Sequence, residues 1–289
     1  MRVRSLPAPE KGDSMNKFPT TEVGGIKLSR LICGTNWFLG YSHTSAAKDK
    51  FIRELFATPE KIAAVIETFA RYGINAVMGP ANPLLADAIL MASDRVGQKI
   101  HYICTPHYEI GRLDTWKQAI ETARKYQASF CFPHQCMTDP QIDVARRCLS
   151  EELMTCLKLV REAGMVPGLS SHTPHAVICS DACGADVESY IQPYNAAGFL
   201  CQIETDWLQK CFREAKKPVM TIKPLAAGRL LPPTGLTFVW NTIRPCDLVT
   251  IGVLSSYEAQ ECIELSLACL EKRSAQVELQ FTRSKKSLV

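Results

Sequence analysis

The sequence lacks several features, and each absence excludes something. No apolar run approaches the ~20 residues of a membrane-spanning helix. No stretch interleaves lysines and arginines with aromatics, and 33 basic against 29 acidic residues leave a net charge of only +4; nucleic acid is therefore not an expected partner. The basic N-terminus has no apolar core of signal-peptide type. Thirteen cysteines are present, yet none are in CxxC spacing. A dispersed, odd set of this kind points to reduced thiols and a cytoplasmic setting. The first predicted strand is followed by Gly34-Thr35-Asn36-Trp37, not by a glycine-rich phosphate turn, which argues against an open dinucleotide-binding sheet. Histidine is scarce, with six in 289 residues.

What is present is alternation. Short apolar strands are predicted at Leu28–Cys33, Ile74–Met78, Lys99–Cys104, Ser129–Phe132, Val166–Ser170, Tyr190–Gln192, Pro218–Ile222 and Leu248–Gly252. A helix follows each of the last seven, and Thr58-Pro59-Glu60 opens the one before Ile74, with a capping threonine and a first-position proline. Residues Thr35–Lys50 read as a long loop, and Gln141–Ala163 as a helix broken and recapped at Ser150. Strands buried on both faces read as continuous apolar runs. Eight strand–helix units in this length predict an α/β fold, a closed (β/α)8 TIM barrel. Glu22–Ser29 precedes it as a hairpin with a Gly-Gly turn. The expected organisation is a disordered extension over residues 1–20, with Met15 a candidate alternative start, one barrel domain over residues 21–272, and a polar tail over 273–289.

The histidines fall at strand ends. His107, His134 and His172 follow the third, fourth and fifth strands, His175 lies three residues past His172, and His43 sits in the first loop. In such barrels the C-terminal strand ends carry the chemistry. Neighbouring strands lie ~4.8 Å apart, so His107, His134 and His172 are expected to converge, with His43 or Glu109 completing a shell around a divalent metal of the Zn, Mn or Fe class. A lone strand-end histidine is most often a satisfied structural residue; three on adjacent strands are harder to place so. Metal-free use of these histidines as acids, bases or anion donors stays open. Lys223 ends the seventh strand and is a candidate oxyanion binder or base, alongside His134 and Glu109 as catalytic candidates. Asn36, Trp37, Tyr41, His175 and Asn195 are expected substrate contacts; Trp37 suits stacking on a sugar ring or packing as a lid. Glu204 and Asp206 suit the dipole of their helix.

The hairpin and first strand, EVGGIKLSRLICGTNWF, resemble the start of aldo-keto reductases. PVMTIKPLAAGRL (Pro218–Leu230) and LVTIGVLSSYEAQECIEL (Leu248–Leu265) resemble their seventh and eighth strands, and Gly168–His172 and Tyr194-Asn195 fall where that family has similar residues. The resemblance spans about Glu22 to Leu270 and implies a barrel with a hairpin-closed floor. It also implies NADPH and a catalytic aspartate and tyrosine after strand two, a lysine at strand three and a histidine at strand four. Here strand two exits through Val77–Asn82 without either acid or tyrosine, strand three through Thr105-Pro106-His107 without lysine, and only His134 matches. Ile222 stands where a tyrosine would stack on nicotinamide, and Val253–Gln260 lacks the phosphate-gripping arginine. Three readings follow. The first is a metal-dependent lyase, isomerase or hydrolase acting on a small polar, carbohydrate-like substrate. The second is an NADPH-dependent reductase with an altered catalytic set, and the third a non-catalytic small-molecule-binding barrel. Self-association as a homo-oligomer is left open.

Overall fold

The computed structural model describes residues 17–280 and residue 285. The rest of the expected N-terminal extension, Met15 included, and residues 281–284 and 286–289 of the expected tail lie outside the described residues. Residues 17–20 belong to the fold: Phe18 is buried beside Trp240, and its N–H donates to the Tyr72 carbonyl.

Strands β1 (Thr20–Val23) and β2 (Ile26–Ser29) form the predicted hairpin, Val23 pairing with Ile26 across Gly24-Gly25. Both glycines take positive φ, 55° and 78°, which this two-residue turn requires. The barrel strands are β3 (Leu31–Gly34), β4 (Ala76–Gly79), β5 (His101–Cys104) and β6 (Phe130–Cys131), then β9 (Val166–Pro167) with β10 (Leu169–Ser170), β11 (Tyr190–Pro193), β12 (Val219–Ile222) and β13 (Leu248–Ile251). All pair in parallel. The ring closes through one interrupted strand: Val166-Pro167 pairs with β6, and Leu169-Ser170 with β11. Gly168 is the interruption. A Cβ there would lie 2.3 Å from the Phe132 ring and 2.6 Å from the Ser189 carbonyl. The (β/α)8 barrel read from the alternation is the fold observed.

Side chains alternate along each strand. The inward set, including Ile32, Met78, Ile103, Phe130, Phe132, Ile191, Met220 and Leu248, forms a plug that the hairpin residues Val23 and Leu28 close from below. The outward set packs under the helices. These helices are α3 (Pro59–Arg71), α4 (Pro83–Val96), α5 (Leu113–Lys125), α7 (Glu151–Glu162), α8 (His175–Cys183), α9 (Thr205–Glu214), α10 (Pro232–Thr242) and α11 (Ser256–Glu271), the last capped by Ser255.

Two segments differ from expectation. Thr35–Lys50 is not an open loop: it holds the short helix α1 (Asn36–Leu39) and the start of α2 (Ala46–Leu55), which Ser45 caps through the Lys48 N–H. Gln141 ends a 3-10 turn (Asp139–Gln141), and the residues after it up to Leu149 are not helical. They make a two-rung hairpin, β7 (Ile142–Asp143) with β8 (Cys148–Leu149), whose turn the Asp143 carboxylate holds by accepting the Arg146 N–H. The helix forms only after Ser150. At the other end Arg273 pairs with Glu264 and Glu271, so the described start of the tail is docked. No helix among the described residues is long and apolar enough to cross a membrane. All thirteen cysteines are free thiols.

Candidate active site

A cavity of about 660 Å³ opens at the C-terminal ends of the strands. Its walls follow from the two-residue period. Counting outward along the inward face, Met78, Thr105, Ser170, Ile191, Ile222 and Thr250 all reach the cavity. His107 and His134 are one pleat beyond Thr105 and Phe132, so they arrive on the same face.

Register then decides which histidines meet. The His134 N–H donates to the Pro106 carbonyl, which sets His107 level with His134 on the neighbouring strand. Their rings accordingly stack, 4.0 Å between centroids and 28° between planes. On the other side the Ser170 N–H donates to the Pro133 carbonyl. Ser170, not His172, is therefore level with His134, and His172 stands two residues farther out. His172 is held there by Asp139, whose carboxylate accepts the His172 N–H at 3.3 Å and the Ser171 hydroxyl at 2.5 Å. The donor atoms of His107, His134 and Cys136 lie within 4.8 Å of one another, the one such group among the described residues. Cys136, in the short helix α6 (Gln135–Thr138), thus stands where the sequence reading had expected His172.

The electrostatics of the cavity are one-sided. Burial, with His107 and Lys223 nearby, pushes His134 down to about 4. Burial, then Lys223, His134 and His43, brings His172 to about 4 as well. His107 is lowered by burial, and His43 by burial and then Lys223. The imidazoles are neutral at pH 7. His134 Nδ1 accepts the Cys136 N–H at 3.3 Å, so its ring proton is on Nε2. Lys223 is lowered to about 8 because it is buried. Among the described residues no hydrogen bond or ion pair engages its amine. The Glu258 carboxylate, the acidic side chain in the cavity wall, is turned to the Leu254 N–H at 2.7 Å as part of a cap on α11.

The loop leaving β12 is strained. Lys223, Ala226 and Ala227 adopt φ of 62°, 49° and 56°, each costing about 1 kcal/mol for a residue with a Cβ. Non-glycine residues hold such angles where surrounding structure imposes them, a pattern concentrated at functional sites.

The other expected site residues divide. Asn36, Trp37, Tyr41 and His43 line the cavity. The Asn36 amide donates to His43 Nε2 at 3.3 Å, and the Trp37 ring rests on Gly252, where a Cβ would be 2.5 Å from it. Three do not line it. Glu109 is exposed and paired with Arg112 at 3.0 Å. His175 begins α8 and bonds the Thr173 hydroxyl at 2.9 Å. Asn195 is fully buried and bonds both backbone groups of Phe199, whose ring carries the Arg229 guanidinium at 4.1 Å and meets the edge of His43. Its position is behind the wall. Sequence reasoning passed over Cys136 because it weighed cysteines as pairs; the usable signal was a thiol two residues after a strand-end histidine.

The dinucleotide that this type of barrel implies finds a poor match in these residues. Ile222 offers no aromatic face, the exit from β4 is Met78-Gly79-Pro80, and Glu258 sets a carboxylate at the α11 N-terminus, where a cofactor phosphate would need a cation. No step is derived through a nicotinamide.

No family sequence model matches this chain, and no curated protein matches it in sequence. Its structure does have relatives. A provisionally named aldo-keto reductase from Pseudomonas aeruginosa superposes with a TM-score of 0.64 at 14% identity, covering 90% of this chain and 99% of its own. The glycerol dehydrogenase of Gluconobacter oxydans gives 0.56 at 12% identity over 93% and 100% of the two chains. The aldose reductase of Giardia lamblia gives 0.53 at 13% over 95% and 92%. Identities this low speak for architecture and not for chemistry: the chain has the aldo-keto reductase barrel fold.

Proposed function

We propose that the protein is an enzyme acting on a small polar, carbohydrate-like substrate that carries a carbonyl or oxyanion, by proton transfer of lyase or isomerase type. The observation that carries this reading is the half-buried Lys223 amine, without a partner among the described residues, on a cavity wall shared with neutral imidazoles. A partly desolvated cation without a carboxylate is costly to the fold, and an electron-rich ligand is what would offset it. With a pKa of about 8, Lys223 is near the working pH. Its ammonium form suits an oxyanion, and its neutral fraction suits removal of a proton beside a carbonyl. His134, with its proton on Nε2, suits donation to the carbonyl oxygen as it gains charge, as a neutral imidazole does well in a dry site. Hydrolysis fits less well, because among the described residues Glu258 is the one carboxylate in the cavity wall, and it is engaged by the Leu254 N–H. The reading requires no metal.

The test is deuterium exchange. Small hydroxyaldehydes, hydroxyketones and sugar acids are incubated with the protein in D2O, and loss of the C–H signal beside the carbonyl is followed by NMR. Exchange by the wild type and none by Lys223→Met is expected. Exchange unchanged in Lys223→Met sinks the proposal. So does binding of NADPH with a micromolar Kd, about −8 kcal/mol, read through tryptophan fluorescence and followed by carbonyl reduction; that result would establish the reductase reading. NADPH is expected to bind weakly or not at all.

A further inference from the structure

We infer that His107, His134 and Cys136 form a zinc-type metal site at the rim of the cavity, with the metal's remaining position directed to the substrate. The inference goes beyond the Lys223 reading and does not depend on it.

The juxtaposition is built into the barrel. His107 and His134 leave adjacent strands at equal height, fixed by the bond from the His134 N–H to the Pro106 carbonyl. Cys136 follows two residues later because His134 caps the short turn Gln135–Thr138, and a metal bound at Nδ1 would displace the Cys136 N–H that this nitrogen accepts at 3.3 Å. The three donor atoms already lie within 4.8 Å of one another. Tetrahedral zinc, with bonds of about 2.0–2.1 Å to nitrogen and 2.3 Å to sulfur, sets its donors about 3.3–3.6 Å apart. Closing the difference takes about an ångström of side-chain motion, together with a turn of the stacked His107 and His134 rings, 4.0 Å between centroids, that brings their in-plane lone pairs to one point. The Cys136 thiol can supply part of that motion, being exposed and bonded only to the Gln135 amide.

The donor types choose the metal. Two imidazoles and a thiol are borderline-to-soft ligands, which favour zinc over magnesium, calcium or manganese. Three protein ligands with one open position are the pattern of catalytic zinc, whereas structural sites use four. Binding exchanges the Cys136 thiol proton for the metal, so one proton is released to solvent. His172 stands two residues farther out, with its backbone pinned by Asp139, and is not a ligand.

The test uses the full-length protein, stripped with chelator and titrated with Co2+, which reports thiolate ligation as near-ultraviolet absorption. One Co2+ per chain with that band, displaced by Zn2+, is expected. Cys136→Ser should abolish the band and weaken binding at least about ten-fold, while His172→Ala and Lys223→Met leave both unchanged. A measurement without variants runs beside it: Zn2+ should protect Cys136, alone among the exposed thiols, from iodoacetamide, as read by peptide mass. Absence of saturable binding, binding without the thiolate band, a band that survives Cys136→Ser, or a band lost in His172→Ala would each overturn the site. None of these would touch the deuterium-exchange result, so the two readings fail separately.

Discussion

Asp247 and Lys223 are charged residues of the same barrel, at opposite ends of adjacent strands. Asp247 lies at the floor, just before β13, with no exposed surface. Its carboxylate accepts from the Val219 N–H at 2.8 Å, the Arg244 N–H at 2.9 Å and the Arg244 guanidinium at 2.7 and 3.0 Å. Arg244 also donates to the Lys217 carbonyl, and Arg30 to the carbonyls of Asp247 and Arg244. Every strand start in this corner is tied to that network. Lys223, at the mouth, has no such partner among the described residues, adopts a left-handed backbone and faces other bases. A folded chain normally satisfies what it buries. Asp247 follows that rule, and Lys223, without a partner for its amine among the described residues, departs from it; the proposed ligand-binding role of Lys223 rests on that difference.

The contrast can be broken by substitution. The largest effect is expected from Asp247→Ala, which leaves the Arg244 guanidinium uncompensated and should cost about 3–5 kcal/mol, read from urea midpoints. Lys223→Met should do the reverse, with stability unchanged or raised by about 0.5–2 kcal/mol while exchange activity falls by about 10²–10⁴-fold. A loss of stability in Lys223→Met comparable to that of Asp247→Ala would erase the distinction between the two ends.

Acid and alkali sharpen it. His134 and His172 sit at about 4 in the folded chain against an ordinary 6.5. Between those values the unfolded chain holds protons that the folded one lacks, so stability falls as pH drops from about 6.5 toward 4. Lys223 sits at about 8 against 10.5. The same sign makes stability rise as pH climbs from about 8 to 10.5. Denaturation at stepped pH should show both slopes. His134→Asn with His172→Asn should lessen the acid limb, with His101, lowered to about 4 by burial, carrying part of what is left, and Lys223→Met should flatten the alkaline one.

The smallest effect is expected from Glu109→Ala. Glu109 is an exposed partner of Arg112, outside the cavity. Neither Tm nor exchange activity should change measurably, since surface pairs of this kind contribute little; lost activity would return Glu109 to the site.

How much of this was legible in the sequence differs between fold and site. The barrel was legible because apolar strands, caps such as Thr58-Pro59 and Ser255, and the Gly-Gly turn are local signals that the tertiary structure respects. Helix α2 was hidden because AAKDKFIREL is half charged and buries only Ile52. The β7–β8 hairpin was hidden because its strands are two residues long, too short for a period to appear. At the site, the strand-end histidines could be placed on the mouth from spacing alone. Their relative heights could not, because those depend on hydrogen-bond register between strands far apart in sequence. That is why His172 was expected beside His134 and is found above it. The left-handed backbone of Lys223 carries no sequence signal either, since lysine does not favour it.

The uneven heights of the histidines have a stereochemical meaning. A ring of donors at one level would present the same environment to a flat carbonyl approaching from either face. Here His107 and His134 share a level, His172 stands two residues higher on one side, and Lys223 enters from across the cavity. Such a stepped arrangement has no mirror plane. A planar carbonyl group seated in it would offer one face to the amine and the other to the opposite wall, so a proton added or removed there would acquire a fixed handedness.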